Sequence, residues 1–348
     1  MPSYARKTIL PAGEDCLVHA ISRCVRRAFL CGMDPYSGKD YEHRRDWVRE
    51  RIQRLAEVFA IEVCAYAVMS NHCHLVLWAR PPVAESWSPE EVARRWLRVF
   101  GRTITDDDAG IAALARDEAR IATLRQHLGS VSWFMRCLNE HIARMANKED
   151  DCTGRFWEGR FKSQLLADDG AVLACMAYVD LNPVRAMMAA SLEESEFTSV
   201  FDRLTGRKAR RCLEELGRLA GPTPEQHEML GLAREQSTAD AWLCPIGTGA
   251  GRHTVLDISA EGYLALVEWT GRQLAGGKRG VLPAEMQGIL EKPELDVEAW
   301  VETVRGFGRM FSHAAGSQAG LREQARRRGV RRVRGTAAAR VMYAAGVG

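Results

Sequence analysis

Two β-rich runs, Ile61 to Val68 and His72 to Trp78, are separated by only Met69-Ser70-Asn71. Branched and aromatic runs joined by so short a polar link predict an antiparallel hairpin. The hairpin commits the chain to a sheet, and its second strand opens with His72-Cys73-His74. Side chains two apart on a strand share a face, so both imidazoles point the same way and Cys73 points to the opposite, core face. Two imidazoles set in an apolar sheet need partners for their ring nitrogens, either a bound ion or other buried polar groups. The chain holds nine histidines, so a His-x-His spacing by itself decides little.

The neighbouring segments extend this picture. Loose alternation from Leu17 to Val25 predicts another strand, and Trp47, Val48, Ile52, Leu55, Val58 and Phe59 mark one face of a helix over 41–60. Further helices are expected over Glu90 to Phe100 and Asp117 to Asn147. Asp106-Asp107-Asp108 between them point in different directions, so they read as a solvated loop or helix start rather than a metal cluster. Asp168 or Asp169 caps a helix that runs to Pro183.

That helix carries the second chemical feature. Val172, Met176 and Val179 form its apolar seam, while Ala174, Tyr178 and Asn182 lie on another stripe. Tyr178 is therefore expected to turn away from the core. A phenol is a weak nucleophile unless it meets a polarised electrophile or a nearby base. A metal held by His72 and His74 would polarise a phosphodiester, with the Asn182 amide oxygen as third ligand, although Pro183 disfavours helical geometry at Asn182. Without such partners, Tyr178 is simply a packing residue.

Charge points to a polyanion. Residues 301–348 hold ten arginines against two acids in a chain whose total is only +3. Arg326, Arg327, Arg328, Arg331 and Arg332 form two clusters suited to tracking a phosphate backbone, or else a solvated basic terminus. Upstream, Arg155, Trp157, Arg160 and Lys162 alternate bases with aromatics, as on a surface that grips phosphates and stacks bases; an ordinary half-buried strand reads the same way. Ten cysteines lie singly with no Cys-x-x-Cys pair, which argues against a zinc cage or a disulfide framework. No apolar run reaches the roughly 20 residues of a membrane span and no signal segment follows Met1, so a soluble cytoplasmic protein is expected, with no membrane partner.

Past residue 205 the texture changes. Thr205-Gly206-Arg207-Lys208 reads as a linker, and the remainder is largely helical, broken at Gly221-Pro222-Thr223-Pro224 and by a glycine-rich loop over 245–251. Two domains are expected, 1–205 and 206–348, the second a mainly helical accessory region with a basic tail.

Ala67 to Leu77 and Tyr178-Val179-Asp180-Leu181-Asn182-Pro183-Val184-Arg185-Ala186 together resemble the two signature motifs of the single-tyrosine HUH transposases, especially their REP-associated branch. His19 to Arg23 and Arg155 to Lys162 fit the same pattern, and the resemblance covers about residues 7–205. It implies an α+β fold, an antiparallel sheet with helices packed on one side. It also implies Mg²⁺- or Mn²⁺-dependent nicking and rejoining of single-stranded DNA beside a hairpin through a 5′-phosphotyrosine. By motif, His72, His74 and Asn182 become metal ligands and Tyr178 the nucleophile; Arg23, Arg155, Trp157, Arg160, Lys162 and Arg185 become DNA contacts. A homodimer is compatible with this reading. Two alternatives remain: a domesticated, non-catalytic hairpin-binding regulator, and a hydrolase in which His72 and His74 activate water.

Overall fold

The computed structural model describes residues 11, 13–25, 30–35, 37–100, 108–218, 223–247, 253–276 and 281–343. The chain start, Asp106, Asp107, Gly221, Pro222 and most of the 245–251 loop lie outside the described residues. Strands β1 (Cys16–Arg23), β2 (Ile61–Val68), β3 (His72–Ala79), β4 (Lys162–Leu166) and β5 (Ala314–Ala315) form one sheet in the order β2-β3-β1-β4-β5. The helices are α1 (Arg44–Val58), α2 (Pro81–Glu85), α3 (Pro89–Phe100), α4 (Asp108–Ala115), α5 (Glu118–Leu128), α6 (Val131–Glu149), α7 (Asp169–Asp180) and α8 (Asn182–Arg185), then α9 (Ser199–Leu216), α10 (Pro224–Gln236), α11 (Ala260–Leu274), α12 (Ala284–Glu291), α13 (Trp300–Met310), α14 (Gln318–Arg327) and α15 (Thr336–Met342). The class is α+β, and the expected hairpin is present, with Val68 opposite Cys73 and the Met69 amide donating to His72 O at 2.8 Å.

The sheet differs from a purely antiparallel one in a single place. β1 to β4 pair antiparallel, but β5 adds parallel to β4, through Leu165 opposite Ala314 and Leu166 opposite Ala315. Both faces are covered: His74 and Val76 are buried on one side of β3, Cys73, Leu75 and Leu77 on the other. The outer edge of β2 is closed as well. Val68 N donates to Phe197 O (3.1 Å) and Cys244 N donates to Val63 O (2.8 Å), so two other segments of the chain occupy this edge near its two ends.

α7 corrects the amphipathic expectation. Asp168 caps it, accepting from Ala171 N at 3.0 Å, and every residue from Gly170 to Asp180 is buried because α13 covers the side that the sheet does not. A helix buried all round has no solvent stripe on which to display Tyr178. Nor does α7 reach Pro183: it stops at Asp180, and Asn182 begins the separate turn α8. Asp180 locks that end. It accepts from Ser199 Oγ, from Val200 N (3.0 Å) and from Tyr263 Oη (2.5 Å), joining α7 to α9 and α11, and burial raises its carboxyl pKa to about 6.

Two further boundaries move. The helix expected over 117–147 is two helices, because the chain turns at Gly129, where a Cβ would lie 3.2 Å from Pro81 Cα. The expected linker at 205–208 lies inside α9, so the residue 205 boundary falls within a helix. Gly206 is there for close approach: a Cβ would press on the Asp240 carboxylate and come within 2.9 Å of Arg210 Nη1, two groups that pair across α9. Residues beyond 206 also share the core of the first half, through β5, through α13 on α7, and through Ser317 N, which donates to Asp168 Oδ2 at 2.7 Å.

Candidate active site

The register of the sheet assembles the site. Opposed residues in antiparallel strands point to the same side, so Ile21 opposite His74, Arg23 opposite His72 and Gln164 opposite His19 define one face carrying three imidazoles. His72 and His74 stand together, ring centroids 4.8 Å apart. His74 is also 2.8 Å, Nδ1 to Nε2, from His19, a wholly buried residue of β1 that stacks on it at 5.1 Å. His72 Nδ1 lies 2.6 Å from Asn71 Oδ1.

α7 lays Tyr178 across this group. Its ring meets His19 and His74 edge-on, at 5.9 and 5.7 Å, although about a hundred residues separate β3 from α7. The Arg185 guanidinium sits over the phenol ring at 4.2 Å and donates to Asn182 Oδ1 at 3.1 Å, while Asn182 Nδ2 is buried without a partner. On the far side the phenol meets α13, with Phe307 at 5.8 Å. At Gly308 a Cβ would lie 2.9 Å from Tyr178 Cζ and closer still to Oη, so only glycine leaves room for the hydroxyl. Tyr178 is 9% exposed.

Electrostatics keep the imidazoles neutral. Burial lowers the pKa of His19 and of His72 to about 4, with Arg23 adding to the effect at His72. His74 falls well below its ordinary value, from burial first and then from its histidine neighbours, Arg185 and Arg23. Neutral imidazoles are the form that binds metal. In both His72 and His74 the Nδ1 has a partner, which leaves each Nε2 as a donor, so the pair offers two ligands to a divalent ion, although among the described residues no group of three His, Cys, Asp or Glu side chains is placed to hold one. Asn182 fits less directly, since its Oδ1 is engaged by Arg185 and no hydrogen bond or ring contact joins it to the histidines.

The expected DNA contacts divide. Arg23 and Arg185 border the site, and Lys162, opposite Ile21, is exposed on the histidine side. Arg155 and Arg160 are exposed, but Trp157 is half-buried and donates through Nε1 to Asn139 O at 2.8 Å, so it anchors the 156–161 segment onto α6 rather than standing free as a stacking platform. Nor is the arginine-rich end a loose tail. It folds as α14 and α15, and Arg326 and Arg327 pair with Glu323, Arg327 also with Glu14. Arg328 is half-buried, and Arg331 and Arg332 are exposed. His19 begins a segment that fits the family pattern but was given no role in the site; its further signal is an imidazole within an apolar strand, which demands a partner.

No protein-family model and no curated protein matches the chain. Among solved structures, that of a REP-associated tyrosine transposase bound to a REP hairpin is similar at a TM-score of 0.33 and 13% identity, over 57% of this chain and 82% of that one. A likeness of that size carries no functional weight. No helix among the described residues is long and apolar enough to cross a membrane.

Proposed function

We propose that this chain is a DNA strand transferase that nicks and rejoins single-stranded DNA beside hairpins, with Tyr178 as nucleophile. The observation that carries the reading is the phenol of Tyr178 lying edge-on to His74 and His19, brought there by α7 from a distant part of the chain. The Tyr178 oxygen forms a bond to phosphorus as the bond to the 3′-oxygen breaks, and the phenolic proton ends on the released 3′-hydroxyl. A second 3′-hydroxyl later reverses the step and frees the tyrosine. His72 and His74 would hold Mg²⁺ or Mn²⁺ through Nε2, with Asn182 as third donor once its oxygen leaves Arg185. When bound, the ion would supply Lewis-acid polarisation of the phosphodiester. Arg185, resting on the phenol ring, and Arg23, beside His72, neutralise the phosphate that approaches.

One observation favours a second reading, a hairpin-DNA-binding protein without turnover. α13 covers the Tyr178 hydroxyl, and Tyr178, His74 and His19 are all buried, so in this conformation only the half-buried His72 of the four is open to DNA. The two readings separate on nicking. Hairpin-flanked oligonucleotides incubated with Mn²⁺ or Mg²⁺ are expected to be cut by the wild type, not by His72→Ala or His74→Ala, and not in excess chelator. Binding without any cut under all conditions would support the second reading instead.

A further inference from the structure

α6 and the 156–161 segment enclose an open cavity of about 480 Å³. Trp157 in its wall pairs with Cys24, the residue after Arg23, and so faces away from His72, which Arg23 opposes. Glu158 N donates to Arg23 O at 2.9 Å, so the cavity and His72 lie at the same end of the sheet on opposite sides. The aromatic walls are held in place. Trp157 is pinned to α6 by its bond to Asn139 O, and Trp133 stacks on His127 at 3.8 Å with the Arg136 guanidinium over its ring at 4.8 Å. Rigid flat walls favour a flat solute, because little side-chain freedom is lost when it enters. Asn139 lines the same cavity, and its Oδ1 has no hydrogen-bond partner, so a polar edge suits the site as well.

The rim is basic. Arg136 and Arg160 line the mouth, and Arg144 on α6 and Arg51 and Arg54 on α1 extend the positive face. Arg136 and Arg144 share one carboxylate, Glu140, at 3.6 and 2.9 Å, and among the described residues Arg51 and Arg54 have no ion pair. Burial first, then the neighbouring arginines, lowers the pKa of Arg51 and of His141. We propose that this cavity seats one unpaired base of the single-stranded DNA beside the hairpin, with Arg136 and Arg144 on the adjoining phosphates. Flat apolar walls under a basic rim match the division of a nucleotide into base and phosphate, whereas an apolar side chain from a second copy would leave the arginines unanswered. The strand passes from Arg23 and His72 round the end of the sheet onto α6. This site rests on the DNA reading above but not on Tyr178 as nucleophile.

Two measurements on the full chain test it. Ala143 is half-buried in the cavity wall, and Ala143→Phe fills the space without removing any contact. In excess chelator, fluorescence anisotropy of a labelled hairpin-flanked oligonucleotide should show Ala143→Phe binding about 5- to 150-fold more weakly, the worth of one stacked base. Arg136→Gln combined with Arg144→Gln should weaken binding and reduce the slope of log affinity against log salt by about 0.7 for each phosphate released. In the second measurement, thymines of the single-stranded flank are replaced one at a time by 5-iodouracil and the wild-type complex is irradiated. A crosslinked peptide from α6 or from 156–161, lost in Ala143→Phe, is the expected result; if Ala143→Phe fails to fold, the wild-type crosslinks decide. Bound oligonucleotide that crosslinks only elsewhere, or a folded Ala143→Phe protein of wild-type affinity, would overturn this site and leave the nicking reading standing. A wild type that binds no DNA would overturn both.

Discussion

At the residue scale, burial sets the chemistry of titratable groups throughout this chain. Asp202 accepts from Tyr66 Oη at 2.8 Å and pairs with Arg49 at 2.7 Å, yet desolvation outweighs both and lifts its pKa from 3.8 to about 6. The folded state therefore holds that proton more tightly than the unfolded chain. The stability this lends is full below about pH 4 and is lost as pH rises through about 6, a swing of about 3 kcal/mol. Asp202→Asn cannot ionise and still accepts from Tyr66. Urea unfolding should show the stability gap between variant and wild type moving in the variant's favour by roughly that amount from pH 4 to pH 7; a gap constant with pH would contradict the assignment. The same scale shows where reading residues in sequence stops. His72 and His74 stand out because their spacing on one strand is local, whereas His19 joins them only through a register pairing β1 with both β3 and β4. No property of the segment Leu17 to Arg23 fixes that register.

Elements that depend on local pattern were legible, and those shaped by distant packing were not. The hairpin of β2 and β3 is evident from alternation and a short turn, and α1 from its period. α7 misleads because its apolar seam predicts a solvent side that α13 in fact occupies. Asn182 was expected one turn beyond Tyr178 on the same helix; Pro183 belongs instead to the next turn, which begins at Asn182 and is tied to Arg185. The fit of α13 on α7 makes a sharp prediction. Gly308→Ala places a methyl against the Tyr178 hydroxyl, and overpacking of this kind costs about 1–3 kcal/mol. Tyr178→Phe removes the oxygen that is struck first, so Gly308→Ala should cost less in that background. Thermal unfolding of the four proteins of this double-mutant cycle measures the coupling, and strict additivity would show that the two groups do not meet.

At the scale of the whole molecule, the two halves expected from sequence texture share one core. The glycine and basic residues at 205–208 imitate a linker, but Gly206 answers to the close packing of Asp240, a contact invisible without the fold. Removing residues 321–348 to test the basic end would therefore also remove the buried side chains of Leu321, Met342 and Tyr343 and damage the core they fill. Replacing the exposed Arg331, Arg332 and Arg334 by glutamine tests charge alone. Single-stranded DNA should then bind more weakly at all sequences, and the slope of log affinity against log salt should shrink by about 0.7 for each phosphate that is no longer neutralised, with hairpin preference retained. An unchanged slope would mean that this face does not touch DNA. The central claim, that Tyr178 becomes bonded to DNA, has a more direct test. A hairpin-flanked oligonucleotide is incubated with the full chain and Mn²⁺, and the digested protein is searched by mass spectrometry for a nucleotide-bearing peptide. The expected result is a 5′-phosphate on Tyr178, absent from Tyr178→Phe and from His74→Ala. Cut DNA with no such adduct, or an equal yield of adduct from Tyr178→Phe, would contradict it.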